Sequence, residues 1–143
     1  MARQLSGIVV INGTDDENWP FDDEKVTRTY SVQSILDIDQ PAVPLEIPYV
    51  RWGGECRVEV AIMARAVGGG EIQIEGNAKL FEGTDEDTQD LEEEKVVTFL
   101  VPRNTRKYVE PAKYDVNLSN AGFGGGDHAE IGFSFTNYIV EEE

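Results

Sequence analysis

From residue 56 to residue 81 the chain keeps a period of two, and no other feature limits its fold as much. Apolar side chains at Cys56, Val58, Val60, Ile62, Ala64 and Ala66 alternate with Arg57, Glu59 and Arg65. Ile72, Ile74, Ala78 and Leu80 alternate in the same way with Glu71, Gln73, Glu75 and Lys79. Successive side chains of a strand point to opposite faces, so each run has one apolar and one polar face. The glycines at 68–70 supply the positive φ that a tight reversal needs, which makes the two runs a β-hairpin. An apolar sheet face has to be covered by a second layer, so the hairpin already implies a packed β architecture.

Six further stretches read as strands: 5–12, 26–38, 45–52, 95–102, 107–118 and 129–140. Ile35 breaks the alternation of the second, which places a bulge near Ser34. Pro41, Pro44 and Pro48 make the third short or edge-like, and Pro111 implies a break or an edge, because proline cannot donate to a ladder. No window of helical length carries a 3.6-residue period. The expected fold is therefore all-β, an antiparallel β-sandwich of about eight strands (jelly-roll or C2-like), with a closed barrel as the alternative. The 143 residues fit a single domain, 1–143, which should bury roughly 68–70% of the surface of the unfolded chain.

Charge narrows the function classes. Twelve basic residues face 28 acidic ones, a formal net charge of −16. Such a surface repels phosphate backbones and anionic lipid, so nucleic acid is not an expected partner and a membrane is one only if calcium bridges it. Self-repulsion of this size needs screening by salt or bound cations, and acidity adapted to a high-salt cytoplasm is the competing explanation. No run of 18 apolar residues and no signal-peptide pattern is present, so a cytoplasmic location is the default expectation. Cys56 is the only cysteine and reads as inert core.

The acids cluster. In "EGTDEDTQDLEEEK", residues 82–95, eight of fourteen side chains are carboxylates. If successive strands run antiparallel, the loops 13–25, 53–55, 82–94 and 119–128 share one end of the sandwich, while 39–44, the glycine hairpin and 103–106 share the other. Gathering carboxylates at one rim creates repulsion that a divalent cation relieves, and calcium suits long oxygen-bearing loops best because it accepts roughly six to eight oxygens in flexible geometry. The candidate ligands are Asp15, Asp16, Asp22 and Asp23 of the first loop, Asp85, Asp87 and Asp90 of the third, and Asp127 of the fourth, with Ca2+ as the expected cofactor. One histidine and one cysteine do not make a zinc site. The 85–94 stretch lacks the sixth-position glycine of an EF-hand loop and has no flanking helices.

In strand count and acidic loops the chain resembles C2-type sandwiches, whose loops at one end hold calcium and thereby dock on anionic membrane. The resemblance is architectural. The aspartate-proline-tyrosine loop signature and the lysine-rich strand of that family are absent, so no functional residue transfers.

Other readings compete with calcium. Trp19 and Trp52, with Phe123, fall at the same rim and are candidate ligand-binding aromatics for a glycan partner, which makes a carbohydrate-binding module one alternative. A structural or assembly module of capsid, tail or surface-layer type, a homo-oligomer or one with a protein partner joined through edge strands, is another. Glu59 and Glu75 are the best carboxylate pair for glycoside hydrolysis, but exposed acids are so numerous that the pair carries little weight. "GFGGGDH" lacks the lysine and helix of a phosphate cradle, and no nucleophile elbow is present. The chain is not expected to be an enzyme.

Overall fold

A computed structural model describes residues 2–15, 24–104, 110–120 and 127–140. Nine strands form among the described residues: β1 (Arg3–Asp15), β2 (Glu24–Leu36), β3 (Val43–Leu45), β4 (Val50–Trp52), β5 (Cys56–Ala66), β6 (Ile72–Glu82), β7 (Leu91–Val101), β8 (Ala112–Ser119) and β9 (His128–Ile139). They make two antiparallel sheets, β2-β1-β9-β8 and β3-β5-β6-β7, with β4 also pairing β5. The predicted hairpin is β5–β6, turning through Gly69 and Gly70 at φ +81° and +78°. No helix of the described residues is long and apolar enough to cross a membrane.

Every connection joins strands that follow one another around the sandwich, so the chain is an up-and-down meander flattened into two layers. The Greek-key crossing that defines a jelly roll is not part of it. Ladders do not bridge β2 to β3 or β7 to β8, which separates the fold from a closed barrel. Aromatic stacking joins the second seam instead: Phe99 of β7 lies 5.0 Å from Tyr114 of β8 with the rings 11° from parallel, and 5.8 Å from both Phe133 and Phe135 of β9.

Several expected boundaries shift. The third strand divides into β3 and β4 around Pro48, as a residue without an N–H requires. β2 keeps one register from Arg3↔Leu36 to Asp15↔Glu24 and has no bulge; Ile35 simply faces outward, 58% exposed. The only register shift in the β6–β7 ladder falls at Leu80/Phe81. β7 begins at Leu91, so Glu92, Glu93 and Glu94 belong to a strand and the acidic loop contracts to 83–90. Residues 107–109 of the seventh expected strand lie outside the described residues.

The inner faces of β1, β5, β6 and β9 supply most of the core, and their alternation fixes what stands at its two ends. On β1 the inward series Leu5, Val9 and Ile11 begins at Arg3 and finishes at Asp15. On β9 Ala129, Ile131, Phe133 and Phe135 lie between Asp127 before the strand and Asn137 near its end. Arg3, Asp15, Asp127 and Asn137 are all buried, so the core is closed by polar groups at both poles.

Candidate metal centre

One pole receives the ends of β1, β6 and β8 and the starts of β2, β5, β7 and β9, as strand parity predicted. Four inward series terminate there in a polar atom. Asp15 extends β1 past Gly13, Cys56 opens β5, Glu82 follows Ala78 and Leu80 on β6, and Asp127 precedes Ala129 on β9. Cys56 and Glu82 are direct cross-strand partners. Ligand atoms of Asp15, Cys56 and Asp127 lie within 4.8 Å of one another, and so do those of Glu55, Glu82 and Asp127. Asp127 belongs to both groups.

Backbone geometry holds this cluster together. The Asn120 N–H, just past β8, donates to the Asp127 carbonyl, just before β9, at 2.8 Å. The Asn120 side-chain amide donates to Glu82 Oε2. The Gly83 N–H donates to the Glu55 carbonyl at 3.2 Å, tying the β6 exit to the β4–β5 turn. Gly53 in that turn has φ +65°, and a Cβ there would fall on the Asp15 carboxylate, so only glycine allows the chain to pass so close.

Asp15 and Asp127 are 3% and 4% exposed, which concentrates negative charge where water screens it poorly. Burial, a hydrogen bond with Asp127 and the charges of Asp127 and Glu92 push the Glu82 carboxyl up to about 7, against the opposing Asn120 hydrogen bond. Burial, together with the charges of Asp127, Asp15 and Glu82 and a hydrogen bond to Asp127, drives the Cys56 thiol strongly upward, so the sulfur keeps its proton. Asp127 thus faces a thiol that keeps its proton and a carboxyl that gives its proton up only around neutral pH.

Of the residues expected to bind metal, Asp15 and Asp127 converge here. Asp85, Asp87 and Asp90 stand outside both groups and are exposed. Local bonds explain their placement. Asp85 Oδ1 accepts the Asp87 N–H at 2.9 Å, Thr88 Oγ1 accepts the Asp90 N–H at 3.2 Å, and Asp87 approaches Arg51 at 3.6 Å. Arg57 latches the loop onto the outer sheet face. It donates to the Glu86 carbonyl at 2.6 Å and to Glu59 at 2.9 Å, and its guanidinium lies 4.4 Å above the Phe81 ring. Asp16, Asp22, Asp23 and Trp19 lie outside the described residues, as does Phe123.

Trp52 corrects the glycan-platform expectation. It follows Val50 on the inward parity of β4, is 4% exposed, and packs against Gly13, so no ring face is open to a sugar. The Glu59–Glu75 pair also separates: Glu59 opposes Lys79 and Glu75 opposes Met63, about 13 Å apart along the strand, beyond the roughly 6.5–9.5 Å of an inverting pair. Sequence reading missed Glu55, Glu82 and Cys56 as members of the cluster. The signal was available, because the hairpin register that pairs Ala66 with Ile72 also pairs Cys56 with Glu82.

Neither protein-family models nor curated proteins match this chain, so its assignment rests on the chemistry of the pole itself.

Proposed function

We propose that the acidic pole binds a calcium ion through Asp15, Asp127, Glu82 and Glu55, and that the ion locks the turns around it into a recognition surface of a non-enzymatic module. The observation that carries this reading is a pair of ligand-atom groups, Asp15–Cys56–Asp127 and Glu55–Glu82–Asp127, that share Asp127 and draw carboxylates from four chain segments, with Asp15 and Asp127 almost fully buried. Buried carboxylates that crowd together either hold protons or hold a cation, and calcium accepts such an oxygen set without demanding a rigid geometry. The protonated thiol of Cys56 is a poor ligand for zinc, which would first have to displace its proton.

Calcium titration followed by calorimetry tests the reading. Submillimolar calcium should raise the melting temperature well beyond sodium chloride of equal ionic strength, and Asp127→Asn should abolish the difference. The double variant Asp85→Asn/Asp87→Asn should retain it, because those side chains stand in the loop turns. Equal shifts with calcium and sodium would leave only general screening.

A second reading, an assembly module, draws on β7. This strand ends its sheet and exposes Val96 at 68% and Leu100 at 45%. Light scattering at high concentration tests it, and a strictly monomeric mass removes it.

A further inference from the structure

The edge of the second sheet is interrupted. β3 covers β5 from Ile62 to Ala64 and β4 covers it from Cys56 to Val58, so residues 59–61 have no ladder partner on that side. Backbone groups alternate sides along a strand, so within those three residues at least one N–H and C=O pair faces the gap. The register changes by one residue across it: Leu45 opposes Ile62 and Val50 opposes Val58, leaving the four residues 46–49 to span three.

Beside the spanning arc lies a groove of about 780 Å³. Leu45 and Ile47, each 7% exposed, pin the arc to the core, while Pro44, Pro48 and Tyr49 form its outer wall. Met63 closes the other side; Tyr49 and Met63 are 52% and 43% exposed. Ala61 and its cross-strand partner Asn77 lie on the floor. Ala61 lies there beside Gly76, where any Cβ would collide with the Ala61 carbonyl oxygen. Glu46 and Glu75 stand at the rim, and no ion pair engages either of them among the described residues.

We propose that this groove binds an extended basic peptide segment of a partner protein, with one apolar side chain seated over Ala61 and Gly76 and flanking lysine or arginine side chains opposite Glu46 and Glu75. The apolar walls select the central side chain, and the rim glutamates select its basic neighbours. The charge decides between partners. A second copy of this chain carries −16 and is repelled by the acidic rim, as is nucleic acid, whereas a cationic segment is drawn to it. The site lies midway along β5, apart from the carboxylate cluster at the start of that strand, and does not depend on calcium there.

The test is a titration of the isotope-labelled protein with a capped peptide alternating lysine and leucine, followed by amide chemical shifts at physiological ionic strength. Saturable shifts should concentrate in 44–49, 59–63 and 75–77. Glu46→Lys/Glu75→Lys should weaken binding by about tenfold or more and transfer it to the matching glutamate–leucine peptide. Ala61→Phe, on an exposed position that leaves the fold intact, should fill the floor and abolish binding with the rim charges unchanged. Shifts that centre on residues 82–90, that survive charge reversal, or that polylysine reproduces without leucine would overturn the assignment.

Discussion

Carboxyl oxygens of Glu82 and Asp127 lie within 4.8 Å of each other at the acidic pole, and burial together with this neighbour raises Glu82 from the ordinary 4.5 to about 7. The folded chain therefore holds a proton that the unfolded chain releases. That contribution to stability is complete below pH 4.5 and is lost as pH climbs through 7. In chelator, the melting temperature should fall between about pH 5 and pH 8 by a few degrees, on the order of 3–8 °C after screening at this partly exposed group is allowed for. Glu82→Gln cannot ionise but still donates to Asp127, so its profile should be flatter by that amount. A Glu82→Gln profile parallel to the wild type would show that the net charge alone sets the slope.

Calcium and this proton occupy the same charge deficit. At about pH 6, calcium binding should release close to one proton, and at about pH 8 almost none. Calorimetry in two buffers of different ionisation enthalpy measures the difference directly. Proton release that is the same at both pH values would mean that calcium binds elsewhere.

The β4–β5 turn separates two glycines that look alike in sequence. Gly53 and Gly54 both have positive φ, +65° and +72°, but a Cβ on Gly53 meets the Asp15 carboxylate while one on Gly54 meets nothing within 4 Å. Gly54→Ala should cost about 1 kcal/mol, the backbone penalty alone. Gly53→Ala should cost about 2–4 kcal/mol by adding displacement of a buried carboxylate, and should weaken calcium stabilisation. Thermal melts of both variants, with and without calcium, check the contrast.

Alternation made the poles legible and concealed the site. Period-two runs fixed which strands exist and, by parity, which loops meet, so Asp15 and Asp127 were found at the correct rim. The richest acidic run misled because short-range bonds compete for its side chains. Asp85 turns onto the Asp87 N–H and Arg57 holds the Glu86 carbonyl, so the loop's charge faces water instead of the cluster. Glu82 was hidden because it looked like the first residue of that loop when it is the last of β6. Arg57 was equally opaque: its outward parity is correct, yet it is 3% exposed because the loop folds over it. Such burial depends on contacts 29 residues away, beyond any local pattern.

Arg57→Lys should not substitute for Arg57. The guanidinium serves Glu59, the Glu86 carbonyl and the Phe81 ring together, and a lysine keeps the charge without the fork. A loss of about 1–3 kcal/mol is expected, with hydrogen exchange accelerating chiefly across 83–90. Uniform acceleration over the molecule would instead make Arg57 a general core element.

The opposite pole supplies the control for every calcium measurement. Asn137 is fully buried there. Its amide donates to the carbonyls of Gly70 at 2.8 Å and Val101 at 3.0 Å, and its Oδ1 accepts from Arg3 Nε at 2.8 Å. Asn137→Ala leaves two carbonyls and a buried guanidinium short of a partner, so it should cost about 2–4 kcal/mol. A full strand length separates it from Asp15 and Asp127, so its destabilisation should add to the calcium effect without changing it. Equal calcium-induced shifts in melting temperature for wild type and Asn137→Ala would confirm that independence, and a calcium response that collapses with Asn137 would mean that the ion stabilises the sandwich as a whole.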